Sequence, residues 1–448
     1  MSTENLRFFG TDVKVSEKST PKRNARRTIR VLATASLAVL AAVASIVVPA
    51  IVTHTPHSPN AQERALAESV VQACVAVSPT LCGHLTAYDD VSEALRASEL
   101  VHSLSTPQKV AQLFVVTPES LVAGYYDDTV MQSGDLTRQA LAERPVGGIV
   151  YFQQNLLDAD QTRAMLEQAN SYALESCGIP LLLDVDEEGG TVSRIGGNEG
   201  FGIENVGNMS AVGATGDPAV AASTATTIAS YLADLGFTSD FAPVADVADN
   251  PDSDTMALRS FGSDAQLVAQ MVSAQVSAFN DAHVICCAKH FPGIGGAEGD
   301  SHNGAIYTHK TADQMAEVEL VPFSAAIDAG VPMVMVGHIS CPEVTGDDLP
   351  ASVSPAVMHD LLRERLGFGG VVITDSLGMG AIVDRFGYDR VAVEAFKAGA
   401  DALLMPADFD AAYQGMLDAV ESGEIDQGRL DLSCWRIVHM KLHREASA

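Results

Sequence analysis

The sequence predicts an α/β protein, a (β/α)8 TIM-type barrel forming a single catalytic domain over residues 105–448. From residue 108 onward, short apolar runs alternate with longer stretches of helical composition, such as Asp217–Leu235 and Asp264–Asp281. Near-continuous apolar runs are typical of strands buried on both faces of a parallel sheet. Eight such units suit a closed barrel. The predicted strands are Ala111–Val116, Val146–Phe152, Pro180–Asp186, Ser239–Val247, Val284–His290, Pro332–Ile339, Gly370–Asp375 and Ala400–Met405.

An open, doubly wound sheet is the alternative arrangement of the same elements. It is less favoured because no G-x-G-x-x-G pattern follows the first predicted strand, so the dinucleotide fingerprint is missing. Nothing in the sequence requires a metal, a nucleotide or a redox cofactor, and we expect none.

The N-terminal part of the chain differs from the rest. Residues 1–30 form a basic tail, and residues 31–52 are a run of 22 residues without a charge. Such a run can cross a bilayer as one helix, and the basic cluster before it predicts a cytoplasmic N-terminus and an extracytoplasmic catalytic domain. A cleavable signal segment, which would leave the protein secreted, is the alternative. Residues 53–104 are predicted to be a linker and a helical stem, in which Cys74 and Cys82 could form a disulfide.

The net charge of −30 limits the possible partners. An acidic body repels the phosphate backbone, so nucleic acid is not expected as a partner. The membrane is expected as a partner through the N-terminal helix only, and we expect a monomer.

Polar residues follow several of the predicted strands at their carboxyl ends: Asp186, Lys289, His290, His338 and Asp375. In barrels of this kind that rim is the active-site face. Each residue also has a structural interpretation. The aspartates could cap a helix or stand in a solvated turn, the Lys–His pair could be a structural ion pair, and a lone histidine is more often a satisfied core residue.

The segment from Lys289 to His302 is rich in glycine and ends in an Asp-x-His pair, Asp300 and His302. Glycines leave such a loop few steric limits, so it can approach a ligand closely. Carboxylates with lysine, arginine and histidine on one rim suit a polyhydroxylated ligand, a sugar, with two groups flanking the glycosidic bond. A metal site built from His290, Asp300 and His302 is the competing interpretation, and it is less favoured because a flexible loop preorganises ligands poorly.

These segments together resemble glycoside hydrolase family 3, in its β-N-acetylhexosaminidase branch, over about residues 105–445. The Asp186–Gly190 block with Arg194 is similar to the D-x-E-G-G-x-x-x-R element of that family, and Lys289–His302 is similar to its K-H-F-P-G-x-G…D-S-H signature. Three further blocks match: Phe241–Val247, Arg259–Gly262 and Val372–Leu377. One position departs, because Ile294 stands where the signature commonly has a second histidine; we expect it to pack the loop.

The resemblance implies a retaining double displacement. Asp375 would be the nucleophile and His302 the acid/base, since an unperturbed imidazole titrates near working pH. Asp300 would orient that ring. The residues implied in substrate binding are Asp186, Arg194, Arg259, Lys289 and His290.

The resulting hypothesis is an exo-acting β-N-acetylglucosaminidase that hydrolyses terminal N-acetylglucosamine from glycans or cell-wall fragments. A β-glucosidase or a β-N-acetylglucosaminide phosphorylase of the same fold are alternatives. An inactive surface glycan-binding protein is the alternative from another class.

Overall fold

The computed structural model describes residues 88–123, 128–250, 256–297 and 306–447. The predicted basic tail, the membrane or signal segment, the linker and the Cys74–Cys82 pair lie outside these ranges, and so do Asp300 and His302. Within these ranges, none of the helices has the length and apolar character needed to cross a membrane.

Eight parallel strands form a barrel with the order β10-β1-β2-β3-β4-β5-β7-β9. A parallel bridge between Ile373 and Ala402 connects the first and last strands of that order. Seven of the eight predicted apolar runs contain one whole barrel strand, and the run Val284–His290 overlaps β5 in all but its last residue, so the (β/α)8 prediction is confirmed. The strands are β1 Phe114–Val116, β2 Gly148–Tyr151, β3 Leu182–Val185, β4 Ser239–Asp240, β5 Ile285–Phe291, β7 Met333–Val336, β9 Val371–Thr374 and β10 Leu403–Leu404, while β6 Ile306–Tyr307 pairs with β8 Ile339–Ser340 in a separate two-stranded sheet.

Except for β5, the strands are shorter than the apolar runs that predict them. Ala111 and Gln112 belong to the helix before β1, and the run after Pro332 divides into β7 and β8 with His338 between them. The regular strand β4 covers only Ser239–Asp240, although the chain stays buried as far as Val247 and keeps isolated backbone hydrogen bonds to β5. The reason is that apolar composition indicates burial, whereas a strand also requires a regular ladder of backbone hydrogen bonds to its neighbour.

Helices surround the barrel and connect its strands. The longest of them begin and end at residues suited to those positions. Asp217 and Asp264 accept hydrogen bonds from backbone N–H groups of the first turns, and Gly236 ends its helix in the left-handed conformation that glycine adopts without strain. The α-helices are α1 Tyr88–Ser103, α2 Thr106–Gln112, α3 Pro118–Leu121, α4 Asp135–Glu143, α5 Ala159–Cys177, α6 Met209–Gly213, α7 Pro218–Leu235, α8 Ala265–Asp281, α9 Ala312–Glu317, α10 Leu320–Asp328, α11 Pro342–Thr345, α12 Gly380–Phe386, α13 Val391–Ala398, α14 Phe409–Glu421 and α15 Gln427–Ser447, with a π-helix over Ala356–Arg365 and 3₁₀ turns at Gln153–Asn155 and Ala351–Val353.

The described part of the predicted stem is the helix α1, which packs on α15. The indole N–H of Trp435 donates to the carbonyl of Ala94 at 3.1 Å. Below them, the ammonium of Lys109 lies 2.8 Å from Asp431 Oδ1 and ties α2 to α15. The N-terminal and C-terminal helices of the described chain therefore close the same side of the barrel.

Candidate active site

The carboxyl-end rim of the barrel brings together residues from three strands or the loops just after them. Asp186 follows β3, Lys289 and His290 lie near the end of β5, and Asp375 follows β9. Parallel strands end at one edge, which is why residues so distant in sequence lie near one another. The predicted convergence of these side chains is present in the structure.

Lys289 is the centre of the charged network. Its ammonium lies 2.7 Å from Asp186 Oδ1 and 2.7 Å from Glu188 Oε1, and the side chain is only 2% exposed. Burial would lower the pKa of this amine, but the two carboxylates raise it above its ordinary value. A buried ammonium with two carboxylate partners is therefore charged and fixed in position.

Glu188 is the acidic partner that sequence reasoning did not assign. Arg259 donates to it through two nitrogens, at 2.8 and 2.6 Å, in the bidentate geometry that suits a guanidinium. Burial alone would raise the pKa of Glu188, but Lys289 and Arg259 lower it to about 2. Arg259 and Lys289 are thus oriented by a carboxylate that is itself almost fully enclosed.

His290 is held by Asp246, a second residue without an assigned role in the sequence. Its Nδ1 lies 2.7 Å from Asp246 Oδ2. Because the carboxylate accepts, Nδ1 donates, and Nε2 faces Arg259 at 3.5 Å. The other oxygen of Asp246 accepts from the backbone N–H of Ile294 at 2.7 Å, and the Ile294 side chain is buried. Ile294 packs this loop, as expected.

Glu187 organises the loop that carries Arg194. Its two carboxylate oxygens accept from the backbone N–H groups of residues 194, 195 and 196, from the Ser193 hydroxyl and from the Tyr231 hydroxyl. The Arg194 guanidinium lies 3.8 Å from Asp186 Oδ2 and over the Phe152 ring. Within the described residues its Nε has no hydrogen-bond partner, so a donor remains available at the rim.

Asp375 is partly exposed at the end of β9, where its backbone N–H donates to the Val336 carbonyl and its Oδ1 accepts from the Ser376 N–H at 2.7 Å. Burial opposes ionisation of this carboxyl. Electrostatic interactions with His290 and His338, the Ser376 N–H and the Lys289 ammonium outweigh it and lower the pKa of Asp375 below its ordinary value. The carboxylate is therefore ionised, as a nucleophile requires.

His338 is buried, 1% exposed, beneath the segment that carries Asp375. Its Nε2 lies 2.8 Å from the Ser376 carbonyl, which can only accept, so Nε2 carries a proton. Its Nδ1 lies 2.6 Å from the Ser352 hydroxyl. It has the contacts of a satisfied core histidine, and it interacts electrostatically with Asp375.

A cavity of about 430 Å³ adjoins Asp375 at the same rim. Its wall combines hydroxyl groups with thioethers and glycines, a mixture that can contact both hydroxyls and apolar faces of a ligand. The lining residues are Thr117, Ser120, Ser376, Gly378, Met379, Gly380, Met405, Pro406 and Ala407.

All the predicted binding residues lie in this network: Asp186, Arg194, Arg259, Lys289 and His290. Two predicted residues, Asp300 and His302, lie outside the described residues, as noted above. Glu188 and Asp246 were in segments already singled out by the sequence. The sequence did not indicate which basic side chain each of these carboxylates binds. Glu188, for example, follows Asp186 by two residues in a turn that could equally be solvated.

A closed (β/α)8 barrel with an ionised carboxylate and paired basic groups on its carboxyl-end rim has the architecture of a barrel enzyme. Comparison with known families identifies it further. The family described as "Glycosyl hydrolase family 3 N terminal domain" matches residues 105–440. The chain belongs to glycosyl hydrolase family 3.

Named relatives support the β-N-acetylhexosaminidase branch of this family. The chain is 34% identical over 361 residues to "Beta-hexosaminidase LpqI" of Mycobacterium tuberculosis, covering 75% of this chain and 83% of the relative. It is 34% identical over 328 residues to "Beta-hexosaminidase A" of Pseudoalteromonas piscicida, covering 68% of this chain and 54% of the relative. The structure of a family 3 β-N-acetylglucosaminidase from a Paenibacillus strain matches with a TM-score of 0.71 at 37% identity, covering 77% of this chain and 64% of that one.

The chain therefore spans about half the length of the Pseudoalteromonas relative and somewhat under two thirds of the Paenibacillus protein. The matched part is the barrel, where all the described rim residues lie.

Proposed function

We propose that the protein is an exo-acting, retaining β-N-acetylglucosaminidase that hydrolyses terminal N-acetylglucosamine from glycans or cell-wall fragments. The observation that carries the proposal is the Asp375 carboxylate, kept ionised at the rim beside Lys289 and His290. The membership in glycosyl hydrolase family 3 and the hexosaminidase names of the relatives support the reaction and the sugar.

The first half of the reaction forms a covalent intermediate. An oxygen of Asp375 attacks the anomeric carbon while the bond from that carbon to the leaving oxygen breaks. His302 gives its proton to the leaving oxygen, so the aglycone departs as an alcohol. Asp300 orients the imidazole.

The second half regenerates the enzyme. His302, now neutral, takes a proton from water as the water oxygen attacks the anomeric carbon, and the ester bond to Asp375 breaks. Two inversions at one carbon return the original configuration.

The rim network supplies the sugar contacts in this proposal. Asp186, Arg194 and Lys289 form one group of donors and acceptors, and Arg259 with His290 forms a second group beside it. Because Glu188 and Asp246 hold their partners at 2.6–2.8 Å, these groups need little reorganisation when the hydroxyls bind. The free Arg194 Nε among the described residues is a donor for a hydroxyl or the N-acetyl carbonyl.

Paired p-nitrophenyl glycosides test the proposal. We expect the full chain to hydrolyse the β-N-acetylglucosaminide in strong preference to the β-glucoside, and to release free sugar whether or not phosphate is present. A preference for the glucoside would identify a β-glucosidase, and a sugar-phosphate product would identify a phosphorylase.

The nucleophile assignment has its own test. Asp375→Ala should reduce turnover by roughly 10⁴-fold or more while retaining N-acetylglucosamine binding. The control variant is Asp313→Ala, which changes an exposed carboxylate on α9 and should keep full activity. Retained turnover in a folded Asp375→Ala protein would exclude the proposal, and no turnover by the folded parent chain would favour the glycan-binding alternative.

We also propose that the catalytic domain works outside the cytoplasm, anchored through residues 31–52 or released after their cleavage. The basic tail before an uncharged run of 22 residues supports this topology. Cell fractionation tests it: replacing three central apolar residues of that run with arginine should move the activity into the cytoplasmic fraction. An unchanged distribution would contradict the proposal.

A further inference from the structure

A second cavity opens at the opposite end of the barrel from Asp375. Its volume is about 390 Å³, within the range of small-molecule sites. It is lined by Val284–Ile285, Val331–Pro332 and Gly370–Val371, where β5, β7 and β9 begin, and by one face of α15. Because the strands are parallel, this is the amino-terminal face, separated from the candidate active site by the length of the barrel core.

The cavity has an apolar side. Phe368, Trp435 and Met440 contribute large apolar surfaces, and Ile327 lies at the edge. Trp435 stacks on the His439 ring, with centroids 4.8 Å apart and an angle of 7° between the planes. Such a wall suits the aliphatic or aromatic part of a ligand.

The cavity also has a basic side. The described residues that line it include no aspartate or glutamate, although the chain has a net charge of −30. A basic wall in so acidic a protein attracts anions to one place on its surface. The basic lining residues are His283, Arg436, His439, His443 and Arg444.

Arg436 connects this wall to a cluster with excess positive charge. Asp401, fully buried, is surrounded by the guanidinium groups of Arg363 at 2.6 Å, Arg429 at 3.2 Å and Arg436 at 3.0 Å. One carboxylate therefore faces three cations. Burial, followed by the charge of Arg436, lowers the pKa of Arg363, as expected where positive charge is incompletely balanced.

The donor set of Arg436 is also incomplete. Its Nη1 binds Asp401, but its Nε, in the part of the chain that the structure describes, has no hydrogen-bond partner and no solvent contact. A guanidinium presents Nε and Nη in a fork that matches a carboxylate or a phosphate. Buried donors without a partner cost free energy, and a bound anion would remove that cost.

Two carboxylates lie near the outer end of the cavity. Glu93 on α1 is 2.8 Å from His443 Nδ1, and Glu445 on α15 acts on Arg444. Glu93 thus pairs with His443, and Glu445 offsets part of the charge of Arg444. The excess positive charge is therefore concentrated at Arg436, next to the apolar wall.

We propose that this cavity is a binding site for a small amphipathic anion, whose carboxylate or phosphate head binds Arg436 and whose apolar body packs against Trp435 and Phe368. The two kinds of surface lie side by side in one cavity, and this arrangement carries the proposal. It is independent of the glycosidase proposal, because no rim residue takes part.

Trp435 makes the test specific, because it is the only tryptophan of the chain. The full chain is titrated with octanoate and with octyl phosphate below their micelle concentrations, and tryptophan fluorescence and the melting temperature are followed. We expect a saturable fluorescence change and a rise in the melting temperature with one or both anions. The two probes distinguish a carboxylate head from a phosphate head, while octanol and octylamine are the neutral and cationic controls.

Two variants test the two sides of the cavity. Arg436→Gln should weaken octanoate binding roughly tenfold to a hundredfold, as expected for a lost hydrogen bond to a charged group. Ile327→Phe fills the edge of the cavity, leaves the arginine cluster intact and should also weaken binding. Arg365→Gln is the matched control, because Arg365 lies on the same π-helix as Arg363 but pairs with the exposed Asp313 instead.

Four results would overturn the proposal. Octanol binding as tightly as octanoate would remove the role of charge. Unchanged octanoate affinity in a folded Ile327→Phe protein would place the ligand elsewhere, and competition by N-acetylglucosamine would assign the signal to the rim. Unchanged fluorescence with both anions in the folded full chain would also reject the site. This holds even if the cause is that an N-terminal segment occupies the cavity.

Discussion

The ammonium of Lys289 lies 2.7 Å from both Asp186 and Glu188, although the two carboxylates come from the same turn after β3. Asp186 is partly exposed and faces the rim, whereas Glu188 is buried and also binds Arg259. One lysine thus connects the partly exposed carboxylate that we propose contacts substrate with a buried carboxylate that holds the network together. Asp186 and Glu188 therefore differ in exposure and in partners, although they lie two residues apart in one motif.

Lys289→Met should cost both stability and activity. It leaves two carboxylates without their shared cation, which typically costs about 3–5 kcal/mol when the pair is buried. Chemical denaturation at pH 7 measures this loss. Lys397→Met is the control, since Lys397 forms exposed ion pairs with Glu394 and Glu424, and its loss should cost less than about 1 kcal/mol.

The same variant has a pH signature. The pKa of Glu188 is about 2 in the folded protein, below its ordinary value of 4.5, so its contribution to stability is present above pH 4.5 and is lost as the pH falls toward 2. Without Lys289 that acid-side loss should become smaller. An acid unfolding profile parallel to that of the parent protein would contradict the role of Lys289 in setting this pKa.

His338→Gln should move the acid limb of the kcat/KM profile to higher pH. The electrostatic interaction with His338 is one of the causes that lower the pKa of Asp375, and the proposed mechanism requires the ionised carboxylate. The glutamine amide can still donate to the Ser376 carbonyl, so the segment should keep its position. His359→Gln, which changes an exposed histidine, should leave the profile unchanged, and an equal shift in both variants would exclude a specific effect.

The sequence predicted the barrel well because each strand is buried on both faces and is therefore a short apolar run. It also located the rim, since Asp375 and Lys289 interrupt such runs at their ends. The ion pairs and hydrogen bonds between rim residues were harder to predict from the sequence. Glu188 resembles any other acidic residue after a strand, Asp246 lies inside a predicted strand, and only the three-dimensional structure places Arg259 and His290 beside them.

Acidic residues inside the barrel could not be recognised from the sequence either. Asp184 lies within the predicted strand Pro180–Asp186, and Asp240 within Ser239–Val247, and both are completely buried. An apolar run tolerates one polar residue without losing its pattern, so the sequence does not tell whether that residue faces the lumen or solvent.

His302→Ala should separate substrates by their leaving group. If this histidine is the general acid, an alkyl β-N-acetylglucosaminide should lose roughly 10²–10⁴-fold in turnover. A p-nitrophenyl glycoside should lose much less in the first step, because its leaving group departs without protonation. Pre-steady-state and steady-state rates on both substrates measure the difference. His309→Ala, an exposed histidine on the segment after β6, is the control, and equal losses on the two substrates would reject the acid role.

Asp184→Asn should stabilise the protein at neutral pH. Asp184 is completely buried, its Oδ1 contacts the Ser239 hydroxyl, and its Oδ2 has no partner among the described residues. Burial raises its pKa to about 7, from an ordinary value of 3.8. The folded state therefore binds an extra proton between these values, so stability falls as the pH rises from about 4 to about 7.

The asparagine keeps the shape of the protonated acid but cannot ionise, so it should remove this loss. The rise of about three units in the pKa of Asp184 corresponds to a loss of at most about 4 kcal/mol in the free energy of unfolding. Calorimetry at pH 5 and pH 8 should find a larger melting-temperature difference between parent and variant at pH 8. Asp313→Asn, at an exposed carboxylate, should give no such pH dependence. A difference that stays constant with pH would mean that Asp184 does not titrate in the folded barrel, and a larger one at pH 5 would reverse the sign and reject the argument.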